Sequence, residues 1–146
     1  MSGQFIRPMT TDDVTAVLEL ERRLFPEPWQ RESFVEVLAS ERAYSLVFET
    51  DGVISAYIIM WKIIDETHLA NLAVDVPFRR RGLARRLFYA GKEFFAGEGV
   101  RDFTLEVRVG NTAAIGLYES LGFVTAGVRP RYYSDGEDAY IMWLRL

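Results

Sequence analysis

The stretch from Val74 to Phe88, V-D-V-P-F-R-R-R-G-L-A-R-R-L-F, constrains this chain more than any other because its local physics is in conflict. An apolar strand ends at Val74, and a helix with Leu83, Leu87, Ala90 and Phe94 on one face begins near Gly82. Arg79, Arg80, Arg81, Arg85 and Arg86 crowd that start, although a helix N-terminus carries partial positive charge and favours Asp or Glu. A bound anion removes the conflict. The free N–H groups of a first turn, the helix dipole and the small residues Gly82 and Ala84 make a place where a pyrophosphate can lie against the main chain. The other reading is a solvated basic helix start whose glycine eases the turn. Two glycine-rich alternatives are excluded, since the chain has no G-x-x-x-x-G-K-[ST] and no G-x-G-x-x-G after a strand.

Composition narrows the chemistry further. A length of 146 residues predicts one domain, 1–146, able to bury about two-thirds of its unfolded surface. Hydrophobic residues at 49% and charged residues at 26% are those of an ordinary soluble globular chain. A formal net charge of −4 argues against a general nucleic-acid binder. An acidic body with one arginine cluster suits an anionic cofactor and a cationic substrate. The absence of cysteine excludes a disulfide framework, a thiolate nucleophile and a cysteine-based zinc site, and His68 as the sole histidine excludes a histidine-rich metal site. No metal is expected. The N-terminal residues M-S-G-Q-F-I-R-P lack the apolar core of a signal peptide, and no apolar run approaches the roughly 18 residues that span a bilayer. The expected location is the cytoplasm, with no membrane partner.

Periodicity orders the elements. A first strand covers Gln4 to Met9, and Thr10, Thr11 and Asp12 offer caps to a helix carrying Val14, Val17, Leu18 and Leu24. The connector Phe25-Pro26-Glu27-Pro28-Trp29 is too proline-rich for helix, and a second helix follows with Phe34, Val35 and Leu38. Tyr44 to Glu49 and Val53 to Ile64 flank Asp51-Gly52, a hairpin signal. Then come a strand from Leu69 to Val74, the anion loop, a helix from Gly82 to about Ala96, and a strand from Phe103 to Val109. Asn111 caps a helix that runs to Ser120, and two strands close the chain, Phe123 to Val128 and Ala139 to Leu144. This order is that of an α/β domain with one mixed sheet and helices on both faces, in which only the strand pair around the long helix is parallel.

Within the strand Thr104-Leu105-Glu106-Val107-Arg108-Val109, alternation puts Glu106 on a face with Thr104 and Arg108. A carboxylate in mid-strand is either paired with an arginine such as Arg108 or kept for acid-base work with a raised pKa. Asn111 and Tyr118 share one side of the next helix, and Ala113, Ala114 and Gly116 keep its first turns free of bulk. Tyr118 is either a half-buried core aromatic or a group facing a ligand.

These segments resemble the GNAT superfamily of N-acetyltransferases over nearly the whole chain. Arg79-x-x-Gly82-x-Ala84 fits the Q/R-x-x-G-x-G/A signature that holds the pyrophosphate of acetyl-CoA, with alanine where glycine is commoner. The segment Asn111-Thr-Ala-Ala-Ile-Gly-Leu-Tyr-Glu-Ser-Leu-Gly-Phe123, with Leu105-Glu106-Val107-Arg108 and Phe25-Pro26-Glu27-Pro28-Trp29, is similar to the bacterial ribosomal-protein-S18 alanine N-acetyltransferases, and the Tyr132-Tyr133 and Asp138-Ala139 region also to the archaeal N-terminal acetyltransferases. The resemblance implies a GNAT fold with a mixed, mostly antiparallel seven-stranded sheet, and direct transfer from acetyl-CoA to a protein N-terminus. It implies Glu106 as proton acceptor and Tyr118 as proton donor. It also implies cofactor contacts from Leu72, Ala73 and Val74 on a splayed strand edge, from Arg79, Arg80, Arg81, Gly82, Leu83 and Ala84 at the pyrophosphate, and from Asn111. Glu27, Tyr132 and Tyr133 are the expected acceptor contacts, their other reading being a surface turn with packed aromatics. His68 is read as a polar residue near a strand end, with a second reading as an alternative base. Two other functions are open: a GNAT acting on lysine or a small amine, and a module that senses acetyl-CoA without turnover.

Overall fold

In the computed structural model, which describes residues 3–146, the chain runs β1 (Gln4–Pro8), α1 (Val14–Leu24), α2 (Arg31–Ala39), β2 (Ala43–Thr50), β3 (Val53–Ile63), β4 (Glu66–Val74), α3 (Leu83–Gly97), β5 (Asp102–Arg108), α4 (Thr112–Ser120), β6 (Val124–Arg129) and β7 (Ala139–Arg145). The strands form a 7-stranded sheet in the order β1-β2-β3-β4-β5-β7-β6. Every neighbouring pair is antiparallel except β4 and β5. This is the expected mixed sheet. β7 inserts between β5 and β6, so the β5-α4-β6 crossover spans one strand.

The sheet is covered on both faces because its strands alternate apolar residues to both sides. The α1 stripe Val14, Val17 and Leu18 packs with Phe34, Val47, Tyr57 and Ile59 on one face. On the other, Leu87, Phe88 and Phe95 of α3 pack with Ile58, Met60, Phe103 and Leu105. Phe88 is fully buried, so Phe88→Ala would cost about 3–5 kcal/mol. α3 lies tight on β3 at Gly91, where an added Cβ would collide with the Met60 Sδ.

Two local features position the site. The strand expected from Leu69 begins at Glu66 instead, because Glu66, Thr67 and His68 pair with Asp102, Phe103 and Thr104 of β5 as well as with β3. Those are the only residue pairs between β4 and β5. The second feature is a bulge: Ile59 pairs with Asn71 and Met60 with Leu69, leaving Ala70 as the extra residue. From Leu69 onward β4 and β5 are unpaired, and past the bulge Leu72, Ala73 and Val74 lie on an open wedge.

Candidate active site

The turn from Arg79 to Ala84 leads into α3. Gly82 caps α3 in the left-handed region at φ 78°, a conformation open to glycine at little cost. The first N–H bonded within α3 is that of Arg86, to Gly82 O at 3.0 Å, so the N–H groups of Leu83, Ala84 and Arg85 have no intrahelical acceptor. No acidic residue sits in that turn. A cavity of about 900 Å³ opens from it, lined by Leu72, Ala73, Val74, Arg79, Arg80, Gly82, Leu83, Ala84, Asn111 and Tyr118. Arg85 also lines it, held by the Ser120 Oγ at 2.8 Å. Arg79 donates through Nε to Val74 O at 3.1 Å, bracing the loop against the strand end. Arg81 lies outside the cavity, over the Phe78 ring.

At the wedge, a second cavity of about 250 Å³ meets the first and shares Leu72, Arg108, Asn111 and Tyr118 with it. Glu106 lines this smaller cavity with Glu27, Trp29, Asn71 and Tyr133. Glu106 is not paired with Arg108. Its Oε2 accepts from the His68 Nε2 at 3.2 Å, and its Oε1 from the Tyr132 hydroxyl at 3.1 Å. The His68 bond holds the carboxyl below its ordinary value despite partial burial, the opposite of the raised pKa that acid-base work suggested. Glu106 is therefore ionised at neutral pH. Tyr118 is 8% exposed, and burial pushes its phenol above its ordinary value, so it keeps its proton. Asn111 caps α4 by accepting the Ala114 N–H at 3.1 Å, which fixes the turn leading to Tyr118.

Arg108 instead gathers the two connectors. Its Nη2 donates to the Glu27 Oε1 at 2.6 Å, and its Nη1 to the Asp135 Oδ2 at 2.8 Å and the Glu137 Oε1 at 2.9 Å. Its guanidinium stacks on Tyr133, 4.0 Å from the ring centroid. The Ser134 hydroxyl donates to the Glu27 Oε2 at 2.6 Å. The α1-α2 connector and the β6-β7 loop are thus joined over the smaller cavity.

A sequence profile of the acetyltransferase (GNAT) family matches residues 14–123. This chain belongs to the GNAT family. It is 40% identical over 139 residues to a ribosomal protein bS18-alanine N-acetyltransferase of Salmonella typhimurium, covering 93% of this chain and 93% of that protein. It is 36% identical to an N-alpha-acetyltransferase of Sulfurisphaera tokodaii, covering 94% of this chain and 90% of that one. The crystal structure of the Escherichia coli ribosomal-protein-S18-alanine N-acetyltransferase superposes with a TM-score of 0.88 at 38% identity, covering 99% of this chain and 94% of that one.

In this GNAT chain the residues singled out from sequence divide into three groups. Leu72, Ala73, Val74, Arg79, Arg80, Gly82, Leu83, Ala84, Asn111 and Tyr118 come together around the larger cavity, without Arg81. Glu106, Glu27 and Tyr133 line the smaller one with Tyr118. Tyr132 does not line it, and its hydroxyl is spent on Glu106. Two further residues contribute: His68, whose bond to Glu106 the sequence does not predict, and Glu21, which the sequence does not single out. His68 reaches Glu106 because the parallel register places it beside Thr104, which an earlier start for β4 would have revealed. Glu21 is buried beneath the smaller cavity, and its place seven residues after Val14, on the α1 core stripe, was the available signal.

Proposed function

We propose that this protein transfers the acetyl group of acetyl-CoA to the α-amine of a protein N-terminus, the alanine of ribosomal protein bS18, in a ternary complex in the cytoplasm. The observation that carries this reading is the meeting of the two cavities at the β4-β5 wedge, with an ionised carboxylate and a neutral phenol in their walls. The names of the relatives support the choice of acceptor. The larger cavity fits the cofactor: free N–H groups and arginines at one end suit a pyrophosphate, and the open edge at Leu72, Ala73 and Val74 suits an amide-bearing arm.

Acetyl-CoA supplies an acyl group activated as a thioester. The chain has no cysteine to take that group, so the amine attacks it directly. A free α-amine has a pKa of about 8, so a weak base acting through water suffices to deliver the neutral nucleophile, and Glu106 is that base. His68 and Tyr132 keep its carboxylate oriented and ionised. A backbone N–H on the open edge near Ala73 or Val74 would hold the oxyanion. Tyr118 gives its proton to the departing sulfur.

The test is thiol release from acetyl-CoA with short peptides that differ in their first residue, beside lysine and polyamine acceptors. Turnover of alanine-first peptides is expected. Activity confined to lysine or polyamines overturns the acceptor assignment, and binding of acetyl-CoA without any turnover overturns the enzymatic one.

A further inference from the structure

The stripe of α1 that packs into the core ends in a charge. Glu21 is 2% exposed and takes no part in the proton transfers above. A carboxylate so buried persists where its oxygens are fully engaged. Its Oε1 accepts from the Tyr57 hydroxyl at 2.6 Å and the Asn71 Nδ2 at 2.8 Å, and its Oε2 accepts the Trp29 N–H at 3.0 Å. The Glu21 carbonyl oxygen also accepts the Phe25 N–H at 3.1 Å.

One residue therefore holds both ends of the connector Phe25-Pro26-Glu27-Pro28-Trp29, which has no helix or strand of its own. Pro26 and Pro28 lack N–H groups and can add no backbone donor. Through Asn71, the same carboxylate grips β4 one residue past the bulge. The connector supplies Glu27 and Trp29 to the smaller cavity, and Phe25 and Pro26 to both.

We propose that Glu21 is a positioning residue for the acceptor: by tying Trp29 and Asn71 together it fixes the wall of the smaller cavity and sets acceptor affinity. This rests on the reading that the smaller cavity receives the acceptor amine. With every bond already committed inside the protein, Glu21 acts through hydrogen-bond geometry. A glutamine can reproduce that geometry: its oxygen faces the Trp29 N–H and its amide donates to the Tyr57 and Asn71 oxygens, both of which can turn to accept.

The experiment compares Glu21→Ala and Glu21→Gln with the wild type, using Glu21→Met, which keeps side-chain volume, if the alanine variant does not fold. Glu21→Ala is expected to raise the KM of an alanine-first peptide about tenfold, with kcat and the KM for acetyl-CoA within about twofold. Glu21→Gln is expected to return the peptide KM to within about threefold of wild type. Peptide KM unchanged in Glu21→Ala, or both KM values rising together, would leave only a folding role and overturn the proposal. Equal loss in the two variants would show that the carboxylate itself, and not side-chain position, is required, and would overturn it too. Hydrogen exchange of the Trp29 amide, faster in Glu21→Ala and slow in wild type, reports the tether without any acceptor. A wild-type protein inactive on peptides would thus defeat the acceptor assignment alone, while unaltered Trp29 exchange would defeat the tether.

Discussion

Replacing Tyr118 with phenylalanine removes one oxygen from the wall shared by the two cavities and leaves the rest of the residue in place. The ring packs edge-on against Phe123 at 5.9 Å and is 8% exposed, contacts that phenylalanine keeps. The stability change should therefore stay within about 1 kcal/mol. The kinetic change should be larger. A positioned general acid contributes about 10²–10⁴ in rate, and at about 1.36 kcal/mol per decade this is roughly 2.7–5.5 kcal/mol of barrier. Tyr118→Phe is thus expected to lower kcat by about 10²-fold or more, with the KM for acetyl-CoA unmoved. Because burial holds the phenol above its ordinary value, it stays protonated from about pH 6 to about pH 9 and adds no basic limb there. Thiol release with saturating acetyl-CoA and an alanine-first peptide, paired with urea unfolding of both proteins, separates the effects. Unchanged turnover would remove Tyr118 from the chemistry, and a fall in kcat matched by a fall in stability would assign it to packing.

Glu106→Gln should lower kcat/KM about 10²-fold near pH 7, and the deficit should shrink toward pH 9 as an amine with a pKa of about 8 sheds its own proton; an equal deficit at both pH values contradicts proton acceptance by Glu106. His68→Leu removes the donor that chiefly holds the Glu106 carboxyl low, so the acid limb of the pH-rate profile should move to higher pH, and an unmoved limb would show that the bond is idle. Gly82→Ala forces a side chain to φ 78° with nothing near its Cβ, costing about 1–2 kcal/mol of backbone strain; the KM for acetyl-CoA should rise while that for peptide stays, and parallel changes would place the loop elsewhere in the reaction. Asp13, held low by Arg7, Glu27, held low by Ser134 and Arg108, and Glu106 have folded pKa values below their unfolded ones. Their stabilisation is complete above the unfolded values of about 4 and is lost as pH falls through the folded values, so the urea midpoint should drop below about pH 4, and a midpoint constant through that range refutes the linkage.

What could be read from the sequence was local. The junction at Arg79 to Ala84 announced itself because neighbouring residues contradicted helix electrostatics, and Asn111 and Tyr118 because helical spacing puts them on one side. The partners of Arg108 were not legible. Glu27 lies 81 residues before it and Asp135 27 after, and with 21 acidic residues in the chain nothing local selects these. The protonation tendency of Glu106 was not legible either, for a related reason. Mid-strand burial alone raises a carboxyl, but two donors from other strands and loops outweigh it, and their approach is set by sheet register. β4 begins three residues earlier than the sequence predicts, and that register is what brings His68 to Glu106.

β4 and β5 share just three residue pairs, Glu66 with Asp102, Thr67 with Phe103 and His68 with Thr104, before they diverge. The halves of the sheet on either side are therefore stitched together at one end only, like a hinge with its leaf ajar. A ligand bound in the gap would touch both leaves and stand in for the absent ladder, so rigidity should rise with occupancy. Melting temperature should accordingly climb with cofactor concentration by mass action, and the slowest-exchanging amides should extend across the cleft only when it is filled.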